Sequence, residues 1–135
     1  MNKERLTILR GSHFKLLNAN CQTLLSSLKN GGAGYCGIMA NYHPELYVWL
    51  CENYAQEPEK AEFVQALLGI SGFTEIGIPY PLTAKYHMCL EGIETENLAR
   101  NRKSEELTEY AKDCTRQMRL LCQNVSKILS RRVKP

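Results

Sequence analysis

The segment that most limits the fold is Tyr35-Cys36-Gly37-Ile38-Met39, a run that is apolar throughout instead of alternating. A strand wetted on one face alternates, whereas a strand covered on both faces need not, so this run predicts a strand in a parallel sheet. Upstream, Leu6-Thr7-Ile8-Leu9 is a second short apolar run, closed by Gly11, and it reads as another buried strand. Between the two, Phe14, Leu17, Cys21, Leu24, Leu25 and Leu28 recur every three or four residues. That spacing predicts a helix from Ser12 or His13, stopped at Asn30-Gly31-Gly32 because glycine accepts the left-handed cap conformation. Strand, helix, strand with short links is a βαβ unit, with a right-handed crossover expected.

The remainder reads as helix. Pro44 stands at a first-turn position and opens a helix to about Tyr54. Pro58 opens another, with Phe63, Val64, Leu67 and Leu68 apolar. Ile78-Pro79-Tyr80-Pro81 is a rigid break, followed by a helix from about Pro81 to Leu90 that stops at Gly92. Polar residues 94–103 read as loop. Ser104, with Glu105 and Glu106, marks the expected start of the last helix. Its expected buried stripe is Leu107, Tyr110, Cys114, Leu121, Val125 and Ile128, and Arg131, Arg132 and Lys134 complement its dipole at the end.

Two parallel strands leave both sheet edges open and cannot cover the apolar faces of four or five helices. The expected class is therefore α/β, predominantly helical, with two parallel strands and about five helices, and part of a larger fold. The strands fall in residues 1–56, and residues 57–135 form a helical region.

Composition narrows the function classes. The 135 residues suffice for one domain with a core, and 44% apolar with 23% charged residues is ordinary for a globular chain. No apolar run approaches the roughly 20 residues of a membrane helix. No signal-type stretch follows Met1-Asn2-Lys3-Glu4-Arg5, so a cytoplasmic location is expected. A net charge of +3 is too weak to argue for nucleic acid. Among the six cysteines no pair forms C-x-x-C, and no histidine stands at finger spacing from one. They are expected as free thiols packed like small core hydrophobes, with no metal site.

Three segments carry a resemblance: Ile8-Leu9-Arg10-Gly11-Ser12-His13; Gly31-Gly32-Ala33-Gly34-Tyr35-Cys36-Gly37-Ile38-Met39-Ala40-Asn41-Tyr42-His43-Pro44-Glu45-Leu46; and Tyr80-Pro81-Leu82-Thr83-Ala84-Lys85. In this order they resemble the C-terminal portion of the dihydrodipicolinate synthase and N-acetylneuraminate lyase family, over about Leu6 to Val133. Members often read G-D-D, then G-x-x-G-x-I-S-x-x-A-N-x-x-P-E, then a proline-rich approach to a helix. The resemblance implies an incomplete TIM (β/α)8 barrel. Its strands seven and eight would be present, Glu45 to Tyr54 would be barrel helix eight, and the later helices would be the C-terminal extension. A whole barrel takes about 200 residues or more, so the chain is expected to be a fragment completed by six further units.

The resemblance also implies a chemistry. A lysine on strand six attacks the pyruvate ketone to form a Schiff base, and a tyrosine on strand five relays protons. Neither strand has a counterpart here, so no catalytic residue is expected and the chain alone should be inactive, without cofactor. Substrate-binding positions carried over are Gly11, Ser12, Cys36 and Asn41. They would line the pocket for the imine of pyruvate or another 2-keto acid once an N-terminal barrel half, or another copy, completes the site. Ser12-His13 replaces the acidic pair and Cys36 an aliphatic residue, which leaves the substrate class open.

The competing reading is a non-catalytic helical interaction or oligomerisation protein, binding neither nucleic acid nor membrane. Other motifs are missing. Gly31-Gly32-Ala33-Gly34 lacks the Lys and Ser or Thr of a phosphate loop, and His13, His43 and His87 do not form H-E-x-x-H. Lys85, on the proline-led helix, reads as a surface or interface residue.

Overall fold

Leu17 and Asn18 pair in parallel with Gly34 and Tyr35, and these two short strands, β1 (Leu17–Asn18) and β2 (Gly34–Tyr35), are the sheet in a computed structural model that describes residues 2–130. Flanking backbone bonds extend the pairing, from the Ala33 amide to the Leu16 carbonyl at 2.9 Å and from the Cys36 amide to the Asn18 carbonyl at 2.9 Å. The described residues otherwise form six α-helices: α1 (Asn2–Leu9), α2 (Leu24–Lys29), α3 (Pro44–Asn53), α4 (Pro58–Gly77), α5 (Leu82–Leu90) and α6 (Glu109–Ser130). None of them is long and apolar enough to cross a membrane. The described residues are thus mostly helical with one parallel strand pair.

A parallel pair is present, but its first strand is not Leu6–Leu9, and its second is Gly34–Tyr35 and not Tyr35–Met39, because Cys36 and Ile38 are exposed and Ile38–Asn41 turns into a 3-10 helix. Leu6–Leu9 form the end of α1, where Leu6 is buried and Ile8 is exposed. A run that buries one residue per helical turn has no need of a sheet. Lys3, Glu4 and Arg5 before it are all good helix formers. Gly11, with φ +82°, follows the helix end, and the Ser12 amide and hydroxyl both donate to the Leu9 carbonyl. The helix expected from Ser12 is also displaced. Leu17 lies in β1, Cys21–Thr23 is a 3-10 turn, and only Leu24–Lys29 is α-helical. Asn20 explains the late start, because its side-chain oxygen accepts from the Thr23 amide at 3.1 Å and caps the turn. The end of α2 is as expected. Gly31 takes φ +93°, and the Gly31 and Gly32 amides donate to the Leu28 and Ser27 carbonyls.

The described residues divide into two compact units. One holds the chain up to Ala40 together with Pro44–Ile70, and the other holds Asn41–His43 with Ser71 onward. In the first, α2 packs on β2 and α3, and α3 packs on β2. Leu24, Leu46, Leu50, Val64 and Leu68 are fully buried. Gln65 ties α4 to this unit by accepting from the Leu25 amide at 2.7 Å and donating to the Cys21 carbonyl at 2.8 Å. In the second unit α5 packs on α6, around Leu82, Leu107 and Ala111.

Pro44 and Pro58 open α3 and α4 as expected, and Gly92 follows the end of α5 with φ +82°. The last helix starts later than Ser104. Ser104–Glu106 is a 3-10 turn, and α6 begins at Glu109, where the Thr108 hydroxyl accepts from the Ala111 amide at 3.2 Å. Its buried stripe is Ala111, Thr115, Met118, Cys122 and Val125, whereas Tyr110, Leu121 and Ile128 are exposed. The helix carries two apolar rows side by side. The row with Ala111 and Thr115 is slimmer and lets α5 approach more closely, which periodicity alone does not reveal. Arg131, Arg132 and Lys134 lie outside the described residues.

Candidate functional site

The positions singled out from sequence do not assemble as expected. Gly11 and Ser12 line a shallow cleft with Leu6, Leu9, Phe14 and Asn30, on the loop after a helix. Cys36 sits just beyond β2 and is exposed, not a core thiol. Its backbone partner is Asn18, since β1 ends there. Asn41 is exposed at the end of the 3-10 turn Ile38–Asn41. Cys89 is likewise exposed, while Cys21 and Cys122 are buried.

The segments that follow the paired strands are therefore Ala19-Asn20-Cys21 and Cys36-Gly37-Ile38. They approach closely. A Cβ on Gly37 would stand 2.6 Å from the Ala19 carbonyl oxygen, so only glycine fits there without movement. Asn18 is buried, and it braces the bend by donating to the Thr23 hydroxyl at 3.1 Å and accepting from the Asn20 amide at 2.9 Å. Tyr35 stacks on Tyr47 with ring centroids 4.3 Å apart. Burial pushes the Tyr35 phenol above its ordinary pKa, and burial does the same to the Cys51 thiol. These groups line a cleft of about 340 Å³ with Leu17, Gly34 and Val48.

The second unit contains a polar cluster that the sequence reading did not find. His43, Glu75 and His87 are all buried, and one potential donor atom from each lies within 4.8 Å of the others. His43 directly precedes α3, Glu75 lies in the last turns of α4 and His87 lies within α5. His43 Nε2 is 3.2 Å from Glu75 Oε1, and Ser71, one turn earlier on α4, donates its hydroxyl to Glu75 Oε2. The His43 and His87 rings meet edge to face at 5.0 Å, and Tyr42 meets His87 at 5.4 Å. Tyr42 is held by a 3.0 Å hydrogen bond between its hydroxyl and that of Thr83, and its burial pushes the phenol pKa well up.

Neither ring nitrogen of His87 has a hydrogen-bond partner. Its Nε2 is 3.7 Å from Glu91 Oε1, but that oxygen accepts from Arg119 Nε at 2.5 Å. The Arg119 hydrogen bond holds the Glu91 carboxyl below its usual range. Burial, reinforced by His43, lowers the pKa of His87, which keeps a lone pair on a ring nitrogen at neutral pH. Two imidazoles and a carboxylate at these separations form a set of donors that can hold a metal ion.

One signal for this cluster was in the sequence. Glu75 is the only charged residue between Glu62 and Lys85. A lone acid in so long an uncharged stretch has to be paired or bound when it is buried. The histidines gave no spacing to read, because the three residues come from three separate segments: the stretch just before α3, then α4, then α5.

No protein-family model matches the chain, and no curated protein or solved structure gives a significant match.

Proposed function

We propose that this chain forms the closing portion of a pyruvate-dependent lyase barrel of the dihydrodipicolinate synthase and N-acetylneuraminate lyase type. On this reading it is inactive until a body carrying the imine-forming lysine completes the barrel. The observation that carries the reading is the parallel register of Leu17 with Gly34 and Asn18 with Tyr35 on either side of α2, followed, after the 3-10 turn Ile38–Asn41, by α3. That is the order in which the last two units of such a barrel would run.

The incomplete TIM barrel makes sense of the unmatched strands. Active groups in barrels of this kind gather at the C-terminal ends of the strands. With β1 at Leu17–Asn18, the wall facing a pyruvate imine is built from Ala19-Asn20-Cys21 and Cys36-Gly37-Ile38. Gly11 and Ser12, which follow a helix, leave that role. The close approach of Gly37 to the Ala19 carbonyl brings bare backbone to the wall, suited to a small 2-keto acid.

The chain does not supply the nucleophile. Neither β1 nor β2 contains a lysine, and no lysine from Lys15 to Lys127 is buried. An amine becomes nucleophilic near neutral pH through desolvation or a neighbouring cation, and an exposed lysine lacks the first. Lys85 instead donates to the carbonyls of Glu96 and Leu98, holding the loop beside α5.

A second reading, a non-catalytic interaction protein, is favoured by the apolar side chains turned outward. Ile8, Phe14, Phe73 and Ile128 are all exposed. Both readings require association, with a barrel half or with another copy of the chain. Light scattering after size exclusion, alone and with the first six units of such a lyase, separates them. A one-to-one complex with those units supports the lyase reading, and self-association indifferent to them favours the second. A monomer that binds neither contradicts both.

A further inference from the structure

We propose that His43, Glu75 and His87 form a binding site for a divalent transition metal of the zinc class. Three observations independent of the strand pair lead to it.

The first is the state of the carboxylate. Glu75 is completely buried, held by the Ser71 hydroxyl and the His43 ring. No lysine or arginine pairs with it among the described residues. A carboxylate buried without a lysine or arginine partner is costly, and a bound cation removes that cost.

The second is His87. Both of its ring nitrogens are buried and lack a hydrogen bond, although its residue exposure is only 1%. A buried polar atom without a partner is a standing cost, and in native proteins it calls for a ligand, an ion or a water. One of its ring nitrogens lies within 4.8 Å of the donor atoms of His43 and Glu75, so the unpartnered group faces the cluster.

The third is the chemistry and spacing of the donors. Zinc bonds of about 2.0–2.2 Å in a tetrahedron place neighbouring ligand atoms roughly 3.3 Å apart. The His43–Glu75 pair already stands at 3.2 Å, and the full set lies within 4.8 Å. Closing around an ion asks for a movement of at most about 1.5 Å by the remaining donor. Two imidazole nitrogens and one carboxylate oxygen suit zinc, cobalt or nickel, whereas magnesium and calcium take oxygen ligands. Three protein donors leave the fourth position to water. Ser71 orients the carboxylate from behind, as outer partners of metal ligands do.

The test uses the full chain with cobalt(II) chloride and zinc chloride as probes. Six cysteine thiols are competing ligands, and cobalt distinguishes them by its spectrum. The expected result is one cobalt per chain, visible ligand-field bands without a thiolate-to-cobalt charge-transfer band, and displacement by one equivalent of zinc. His87→Gln and Glu75→Gln, checked for folding by circular dichroism, should each weaken zinc binding by at least about tenfold, and Ser71→Ala by about tenfold. If a variant does not fold, the wild-type cobalt spectrum decides. Absence of cobalt uptake, a thiolate charge-transfer band at one equivalent, or folded His87→Gln and Glu75→Gln with unchanged zinc affinity would overturn the assignment.

Discussion

His43 and His87 meet edge to face, ring centroids 5.0 Å apart and planes at 87°, in the same cluster that buries Glu75. Two imidazoles so close cannot both take a proton without repulsion. Their pairing therefore gives the second unit a pH dependence with a definite sign.

Burial, then His43, hold His87 below the ordinary imidazole pKa, against the opposing pull of Glu75 and Glu91. As pH falls, the unfolded chain binds the proton first. The contribution of neutral His87 is complete above the unfolded value of about 6.5 and is lost as pH falls from there towards the lower folded value. In chelator-treated protein the thermal midpoint should drop between about pH 7.5 and about pH 5.5, and it should drop less in His87→Gln. Equal slopes for the two proteins would place the pH dependence elsewhere.

Removing the hydroxyl that supports Glu75 should be measurable without touching a ring. Ser71→Ala leaves a buried carboxylate oxygen without its donor, and a loss of about 1–3 kcal/mol in urea unfolding is expected. A change within a few tenths of a kcal/mol would mean that the carboxylate finds another donor.

How much of this was legible in the sequence depended on local signals. Pro44, Pro58 and Gly92 punctuate helices by fixing or freeing one backbone angle, and the structure places α3, α4 and α5 between them. The first strand was misplaced because β1 is only two residues long, too short for any period, and because Leu17 and Cys21 fit a helical repeat equally well. The face of α6 was read in part: Val125 is buried as expected, but packing against α5 buries Ala111, Thr115, Met118 and Cys122 and leaves Tyr110, Leu121 and Ile128 exposed. The cluster at His43, Glu75 and His87 was invisible to spacing rules because tertiary packing alone assembles it.

Gly37 offers a test of the strand ends. A methyl group there would stand 2.6 Å from the Ala19 carbonyl oxygen. Gly37→Ala should therefore destabilise the chain by about 1–3 kcal/mol through forced backbone movement. Wild-type stability in that variant would show that the two segments are not so closely apposed.

Cys89 should be the fastest thiol to alkylate. It is exposed, and the Thr95 hydroxyl, 3.4 Å from the sulfur, lowers the thiol pKa by hydrogen bonding. Mass-resolved labelling with iodoacetamide at neutral pH should modify Cys89 before Cys36 and leave buried Cys21 and Cys122 protected. Thr95→Val should slow the Cys89 reaction, and an unchanged rate would remove Thr95 as the cause.

The proposed lyase reading requires a chain that shapes a keto-acid site but cannot form the imine itself. Trapping with pyruvate and borohydride, read by intact-mass spectrometry, tests both halves of that statement. With the first six units of a pyruvate-dependent lyase present, the reduced adduct should appear on those units, in greater yield when this chain is added, and never on this chain. An adduct on this chain, or labelling of the partner that ignores it, would contradict the account.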